Sequence, residues 1–150
     1  MGIAIKTLGI DELNRVAPLW DKLRLRHLAM SAHFKVHFER QTFAERCEKF
    51  RALPEDSVHI GAAEDEKGTL TGYCICSVQD DAGELDSIFV EAEYRGQDIG
   101  YRLARDGVDW LKTKGCRHID VMVAEGNEDV FPFYEKLGFR VRATVLQIPG

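Results

Sequence analysis

The spacing of apolar residues predicts helices in the first third of the chain. Between Asp11, which suits a helix N-cap, and Met30, apolar residues recur every three or four positions. Pro18 lies inside this stretch, and we expect it to kink the helix or to delay its start. The same spacing predicts a second helix over residues 42–53, with Pro54 after its end.

The alternation typical of strands occurs at the start of the chain and again after residue 56. Alternating or β-branched segments predict strands over residues 3–6, 57–64, 69–79, 84–90, 118–123 and 139–148. Helical spacing returns over residues 99–114 and 127–137. The predicted order is β-α-α-β-β-β-α-β-α-β, which mixes hairpins with crossovers. It indicates an α+β fold with a mixed sheet, and residues 1–150 are expected to form a single domain.

Composition narrows the class of protein. The 150 residues are 45% apolar, and no apolar run approaches the roughly 20 residues that span a bilayer, so no membrane association is expected. The net charge of −5 disfavours nucleic-acid binding. No secretory leader is evident, and the four cysteines (Cys47, Cys74, Cys76 and Cys116) form no C-x-x-C pair. We therefore expect a cytoplasmic protein with buried thiols and no metal.

A strand that runs through a glycine-containing turn into a helix is the most informative segment. Residues 88–100 read I-F-V-E-A-E-Y-R-G-Q-D-I-G. The free amides and the dipole of a helix start attract phosphate oxygens, and Arg95 adds a planar cation. The residues alone also fit an ordinary strand–turn–helix connection. The glycine spacing matches neither a dinucleotide fingerprint nor a P-loop.

This segment resembles the acyl-CoA-binding signature of the GNAT superfamily of N-acetyltransferases, Q/R-x-x-G-x-G/A after a strand ending in valine. Arg95 matches the first position and Gly100 the last, whereas Asp98 replaces the middle glycine. A carboxylate beside a pyrophosphate would be repulsive unless it points into solvent. The resemblance implies acetyl-CoA as co-substrate, held by Ile88, Phe89, Val90, Arg95, Gly96, Gln97, Asp98, Ile99, Gly100, Asn127 and Tyr134.

A second motif, F-Y-E-K-L-G-F over residues 133–139, resembles the other GNAT hallmark. In that family the tyrosine at the position of Tyr134 lies near the CoA sulfur and can protonate the departing thiolate. On spacing alone, the favoured role of Tyr134 is that of a core residue with its hydroxyl in solvent. Asn127 has two open roles, as a helix cap or as a contact of the pantetheine arm.

The proton of the amine needs an acceptor. Glu84 and Asp86 lie two residues apart on one strand, so their side chains share a face. The resemblance places Glu84 at the position of the glutamate base in the histone-acetylating branch of GNAT. Glu84, Asp86 and a water chain without a single base remain alternatives.

The expected function is transfer of the acetyl group of acetyl-CoA to a primary amine by direct attack in a ternary complex. Histidines and aromatics over residues 27–38 could line an acceptor pocket, but they specify no amine. A non-catalytic acyl-CoA sensor is the main alternative, and a nucleotide-binding protein unrelated to GNAT is a weaker one. The resemblance also makes a homodimer an open expectation.

Overall fold

The computed structural model describes residues 2–150, and a mixed sheet forms its centre. Among these residues the strands are β1 (Ala4–Leu8), β2 (Val58–Glu64), β3 (Leu70–Gln79), β4 (Ala82–Val90) and β5 (His118–Val121). Their order in the sheet follows the sequence, and every neighbouring pair is antiparallel except β4 and β5, which run parallel. The predicted α+β class with a mixed sheet is confirmed.

Helices cover both faces of the sheet. They are α1 (Ala17–Met30), α2 (Lys35–Arg40), α3 (Phe43–Ala52), α4 (Ile99–Thr113) and α5 (Phe131–Lys136), with short 3₁₀ turns at Ile10–Val16, Glu55–Ser57, Ala92–Tyr94 and Glu128–Val130. Pro18 lies in the first turn of α1, so it delays the start of the helix as predicted. Thr42 caps α3, because its hydroxyl accepts the amide of Glu45 at 3.2 Å.

Two apolar cores lie on opposite faces of the sheet. Helices α1 and α3 cover the first face, where Trp20, Phe50 and Tyr73 are buried. Helices α4 and α5 cover the second face, around Leu103 and Leu111. The α1/α3 face and the α4/α5 face are therefore separate environments, and each strand residue belongs to one of them.

Helix α4 packs unusually close to β3. A Cβ atom on Gly107 would lie 2.6 Å from the sulfur of Cys76 and 3.4 Å from that of Cys74. Both cysteines are buried free thiols on the α4/α5 face, as the alternation predicted. The glycine thus lets α4 approach the sheet, which fixes where the helix begins.

The predicted last strand over residues 139–148 is wrong. The segment has the alternation of a strand, but no strand of the described chain pairs with it. Val145, Leu146 and Ile148 are 77%, 91% and 90% exposed. Strand propensity is realised only against a neighbouring strand, so local pattern alone overestimated the sheet.

Three smaller features of the secondary structure also differ from the prediction. Helix α2 was missed, because it has six residues and no side-chain cap at Phe34. Strand β5 ends at Val121, two residues early, where it parts from β4. Helix α5 begins at Phe131 rather than at residue 127, with Pro132 in its first turn and a 3₁₀ turn before it.

Candidate active site

The site is built where the two parallel strands separate. Strands β4 and β5 pair from Ala82 with His118 to Leu85 with Val121, and then diverge. Strand β4 continues to Val90 and stays paired with β3 on its other side. The edge of β4 over residues 86–90 that faced β5 therefore has no strand partner. Free main-chain groups on such an edge can pair with an extended ligand.

A left-handed turn joins the end of β4 to α4. Gly96 has φ +82° and Asp98 has φ +63°, and Ile99 begins the helix. Asp is one of the few side chains that tolerate this region, so Asp98 meets the geometry that a glycine would satisfy without strain. Asp98 is exposed and makes no side-chain cap to α4. Its carboxylate therefore does not occupy the first-turn amides of α4, which remain open.

A cleft of about 680 Å³ lies beside this turn. It is large enough for a ligand of cofactor size. Six predicted residues line it: Val90, Arg95, Gly96, Asp98, Ile99 and Gly100. Four lining residues were not predicted: Tyr94, Tyr101, Phe133 and Lys136. Lys136 stands inside the second motif, so its charge was a visible signal for a phosphate contact.

Arg95 is held in place over the end of β4. Its Nε donates to the carbonyl of Val90 at 2.9 Å, and its guanidinium lies 5.2 Å from the ring centre of Phe89. Burial, and then the positive charge of Arg26, lower the pKa of Arg95 from its ordinary value. The terminal nitrogens of this guanidinium remain available for an anion.

The remaining predicted contacts do not line the cleft. Ile88 packs on the α4/α5 face, Phe89 is buried on the α1/α3 face, and Gln97 is exposed within the turn. The side chain of Asn127 makes no capping hydrogen bond to the turn that follows it. The capping role considered for Asn127 is therefore not observed.

Tyr134 packs on the α4/α5 face between two aromatic rings. The ring centres of Phe133 and Phe139 lie 5.1 Å and 5.8 Å from that of Tyr134, both edge-on. Burial raises the pKa of Tyr134 well above its ordinary value. The phenol therefore stays protonated at neutral pH, and no hydrogen bond within residues 2–150 engages its hydroxyl.

Glu84 and Asp86 meet at one ammonium group on the α1/α3 face, as their shared face predicted. Lys49 Nζ of α3 lies 2.7 Å from Asp86 Oδ1 and 3.0 Å from Glu84 Oε1. The side chain of Asp86 has no exposed surface, whereas that of Glu84 is 31% exposed. Glu84 also lines a smaller cleft of about 170 Å³ with Asp120. Of the two carboxylates, Glu84 is the one that a substrate can reach.

A contact between the loop after β5 and the turn after α1 was not predicted. We call it the Glu125 clamp. Glu125, after β5, accepts hydrogen bonds from the Ser31 hydroxyl at 2.7 Å and from the amides of Ala32 and His33 at 3.0 Å each. Its other oxygen contacts His33 Nδ1. The hydrogen bonds from His33, and then that from Ser31, lower the pKa of Glu125 to about 2. The partners are more than 90 positions apart, so no local pattern signals the contact.

Two kinds of feature are absent from residues 2–150. No group of three or more histidine, cysteine or acidic side chains is arranged to hold a metal ion. No helix in that range combines the length and the apolar character needed to cross a bilayer.

Comparison with known protein families identifies the family to which the chain belongs. Residues 22–139 match the model of the acetyltransferase (GNAT) family. The match covers most of the chain and includes both motifs, the parted strands and the turn before α4. The chain therefore belongs to the GNAT family of acetyltransferases.

Relatives of different substrate preference resemble this chain. A Bacillus subtilis protein, provisionally named for acetylating the alanine of ribosomal protein bS18, is 36% identical over 51% of this chain and 50% of its own. Glucosamine 6-phosphate N-acetyltransferase of Trypanosoma brucei brucei is 32% identical over 44% and 43% respectively. The chain thus spans about half the length of the curated relatives it matches.

The fold is shared with solved acetyltransferases. The PaiA N-acetyltransferase of Thermoplasma acidophilum, solved in complex with coenzyme A, superposes with a TM-score of 0.71. It is 22% identical and covers 97% of this chain and 94% of its own. At this identity the likeness establishes the fold alone.

The Glu125 clamp predicts an acid-dependent loss of stability. Because its folded-state pKa lies below the ordinary 4.5, its contribution is present above pH 4.5 and is lost as the pH falls towards 2. Glu125→Gln should therefore destabilise the protein at neutral pH, and the difference from wild type should shrink on acidification. Urea unfolding across this pH range measures it.

Glu128→Gln is the matched control, since Glu128 is an exposed carboxylate three residues further on. Its difference from wild type should not follow this pH course. A Glu125→Gln difference that stays constant with pH would contradict the clamp.

Proposed function

We propose that the protein transfers the acetyl group of acetyl-CoA to a primary amine by direct attack in a ternary complex. The observation that carries the proposal is the free edge of β4, which leads through the 3₁₀ turn at Ala92–Tyr94 into the left-handed turn and the start of α4. Family membership supports the same chemistry. Edge, turn and cleft form one continuous path for a ligand with an extended arm and a phosphate group.

The residues present fit acetyl-CoA. The pyrophosphate would lie at the first-turn amides of α4, with the cations of Arg95 and Lys136 at the rim of the cleft. The pantetheine amides would pair with the β4 edge at residues 88–90. Gly100 leaves the cleft open between Val90 and Phe133, each of which lies within 4 Å of the space that a Cβ would take. Asn127 is a further candidate contact.

The chemistry needs two proton transfers. Acetyl-CoA supplies the thioester, and in the transfer a C–N bond forms while the C–S bond breaks. Glu84 would take the proton of the amine, directly or through water, and Tyr134 would donate one to the departing sulfur. A main-chain N–H on the free β4 edge near Val90 would stabilise charge on the carbonyl oxygen.

The acceptor amine would approach from the α1/α3 face, where Glu84 is exposed. Names of relatives point to different amines, among them an alanine of ribosomal protein bS18 and glucosamine 6-phosphate. An alanine-terminated peptide and glucosamine 6-phosphate are therefore the first acceptors to test, with thiol release as readout. Binding of CoA without turnover on a broad amine panel would favour the sensor function instead.

Two further expectations belong to this proposal. We infer a cytoplasmic location, where acetyl-CoA is produced, and the homodimer stays a prediction. Size-exclusion chromatography with light scattering tests whether the protein is a homodimer.

Gly100→Glu should abolish binding of acetyl-CoA, because the new side chain fills the cleft and opposes the phosphates. Wild type at about 100 times its dissociation constant should gain roughly 2.7 kcal/mol of stability, visible as a thermal shift. Gly100→Ala is the control, since its Cβ would make ordinary contacts at 3.6 Å and 3.7 Å. Stabilisation of Gly100→Glu by acetyl-CoA would refute the assignment of the phosphate turn.

Asp98→Gly should bind CoA more tightly, because it keeps the left-handed turn and removes a negative charge near the phosphates. At the surface this repulsion is about 1 kcal/mol, a roughly fivefold change in affinity. Asp98→Asn should give a similar gain if charge is the cause. The gain should fade in high salt. Calorimetric titration of the three proteins at two salt concentrations measures it, and equal affinities would show that the carboxylate does not face the ligand.

Tyr134→Phe should lower kcat by about 10² while leaving the affinity for acetyl-CoA unchanged, because it removes a general acid and retains the ring. Steady-state kinetics on the fastest acceptor, with calorimetry for binding, separates the two effects. Tyr101→Phe is the control for loss of a tyrosine hydroxyl on the same face of the sheet. Unchanged turnover would exclude Tyr134 from the mechanism.

A further inference from the structure

Asp86 lies at the one position of β4 that neither neighbouring strand holds. Opposite β3, Cys76 pairs with Leu85 and Ile75 pairs with Ser87, so Asp86 is an extra, bulged residue. On the other side, pairing with β5 ends one residue earlier, at Leu85. The sheet ladder therefore leaves the conformation of Asp86 undetermined, at the point where the strands part.

Side chains hold this bulge instead. The Asp86 carboxylate accepts from Lys49 Nζ at 2.7 Å and from the Ser77 hydroxyl at 2.6 Å. Its main-chain oxygen accepts from Arg46 Nη2 at 3.0 Å. Lys49 and Arg46 both come from α3, one turn apart. The helix thus fixes the bulge at its side chain and at its backbone.

The buried Asp86 carboxylate needs the ionic partner that Lys49 provides. The Asp86 side chain has no exposed surface, and a buried carboxylate is tolerated only when it is paired and hydrogen-bonded. Burial raises the pKa of Asp86 overall, although Lys49 and Ser77 act against this. Burial opposes the charge on Lys49 as well, but Asp86 and Glu84 together raise its pKa, so Lys49 remains a cation.

The same ammonium reaches the candidate base. Lys49 Nζ lies 3.0 Å from Glu84 Oε1, and both residues line the smaller cleft with Asp120 and Met122. Movement of the bulge would therefore shift Glu84 and the free edge of β4 together. A misplacement of about 1 Å in such a site costs about 10² in rate.

We propose that Lys49 is a positioning residue, which clamps the β4 bulge through Asp86 and holds Glu84 in the smaller cleft. In this arrangement Asp86 serves as the anchor for Lys49 and does not receive the substrate proton. The inference rests on the proposed acetyl transfer and assigns Lys49, Asp86 and Glu84 separate parts in it.

The test compares substitutions of the pair. Lys49→Met should lower kcat by about 10- to 10²-fold and change the KM for acetyl-CoA less than about twofold. Lys49→Arg, which keeps the cation, should recover most of the rate. Asp86→Asn keeps an acceptor oxygen and should stay within about threefold of wild type, whereas loss of a base would cost about 10² or more. Lys112→Met, at an exposed site on α4, is the control.

Folding is separated from positioning by a double variant. Lys49→Met alone leaves the buried Asp86 carboxylate with only the more distant cation of Arg46, at 3.7 Å, and could fail to fold. Lys49→Met/Asp86→Leu replaces the pair with apolar groups and should fold, yet remain slow. Wild-type kcat in the double variant or in Lys49→Met would overturn the proposal. A loss in Asp86→Asn as large as that in Lys49→Met would also overturn it, because Asp86 would then be a reacting group.

Amide hydrogen exchange tests whether Lys49 holds the β4 bulge, and it does so without turnover. Amides of residues 82–90 should exchange faster in Lys49→Met, or in the double variant, and remain unchanged in Lys112→Met. Unaltered exchange of these amides in both variants would overturn the proposal that Lys49 holds the β4 bulge. Absence of acetyl transfer by wild type on the acceptor panel would instead count against the proposed function, and the exchange result would still decide the clamp.

Discussion

The structure depends on two parallel strands that pair for four residues and then part. Strands β4 and β5 hold each other only up to Leu85 and Val121. Beyond that point the inner edge of β4 has peptide groups without a strand partner, and unpaired backbone must bind water or a ligand. The separation therefore creates both the opening of the site and the hydrogen-bonding surface within it. The cores and the helix ends serve to keep the two strands apart.

Helix α1 bridges the gap and is fastened at both ends. Lys22 pairs with Glu91 at the end of β4 at 2.6 Å, and a Cβ on Gly126 would clash with the carbonyl of Met30, so the loop after β5 lies directly against the helix end. From Lys22 to Met30 the helix rises about 12 Å, which sets the scale of the opening. The Glu125 contacts secure the turn after α1 to the same loop.

Local sequence predicted the parts of the site that are local in the chain. The turn over residues 95–100 and the α5 motif carry their geometry in neighbouring residues, so their resemblance to the two GNAT motifs identified them. The Lys49–Asp86 and His33–Glu125 contacts join residues 37 and 92 positions apart, and no periodicity encodes such a pairing. The exposed segment 139–148 shows the opposite failure, because strand-like alternation there meets no partner strand.

Asp98 departs from the acyl-CoA signature but keeps the backbone geometry of the turn. The structure requires a positive φ before α4, which glycine supplies freely and Asp adopts at modest cost. The requirement at this position is therefore conformational, and the identity of the side chain is secondary as long as it does not cap the helix start. Asp98 meets this condition, because it is exposed and makes no cap to the helix. The amides of α4 stay open to a phosphate, and the departure changes the charge of the turn without changing its shape.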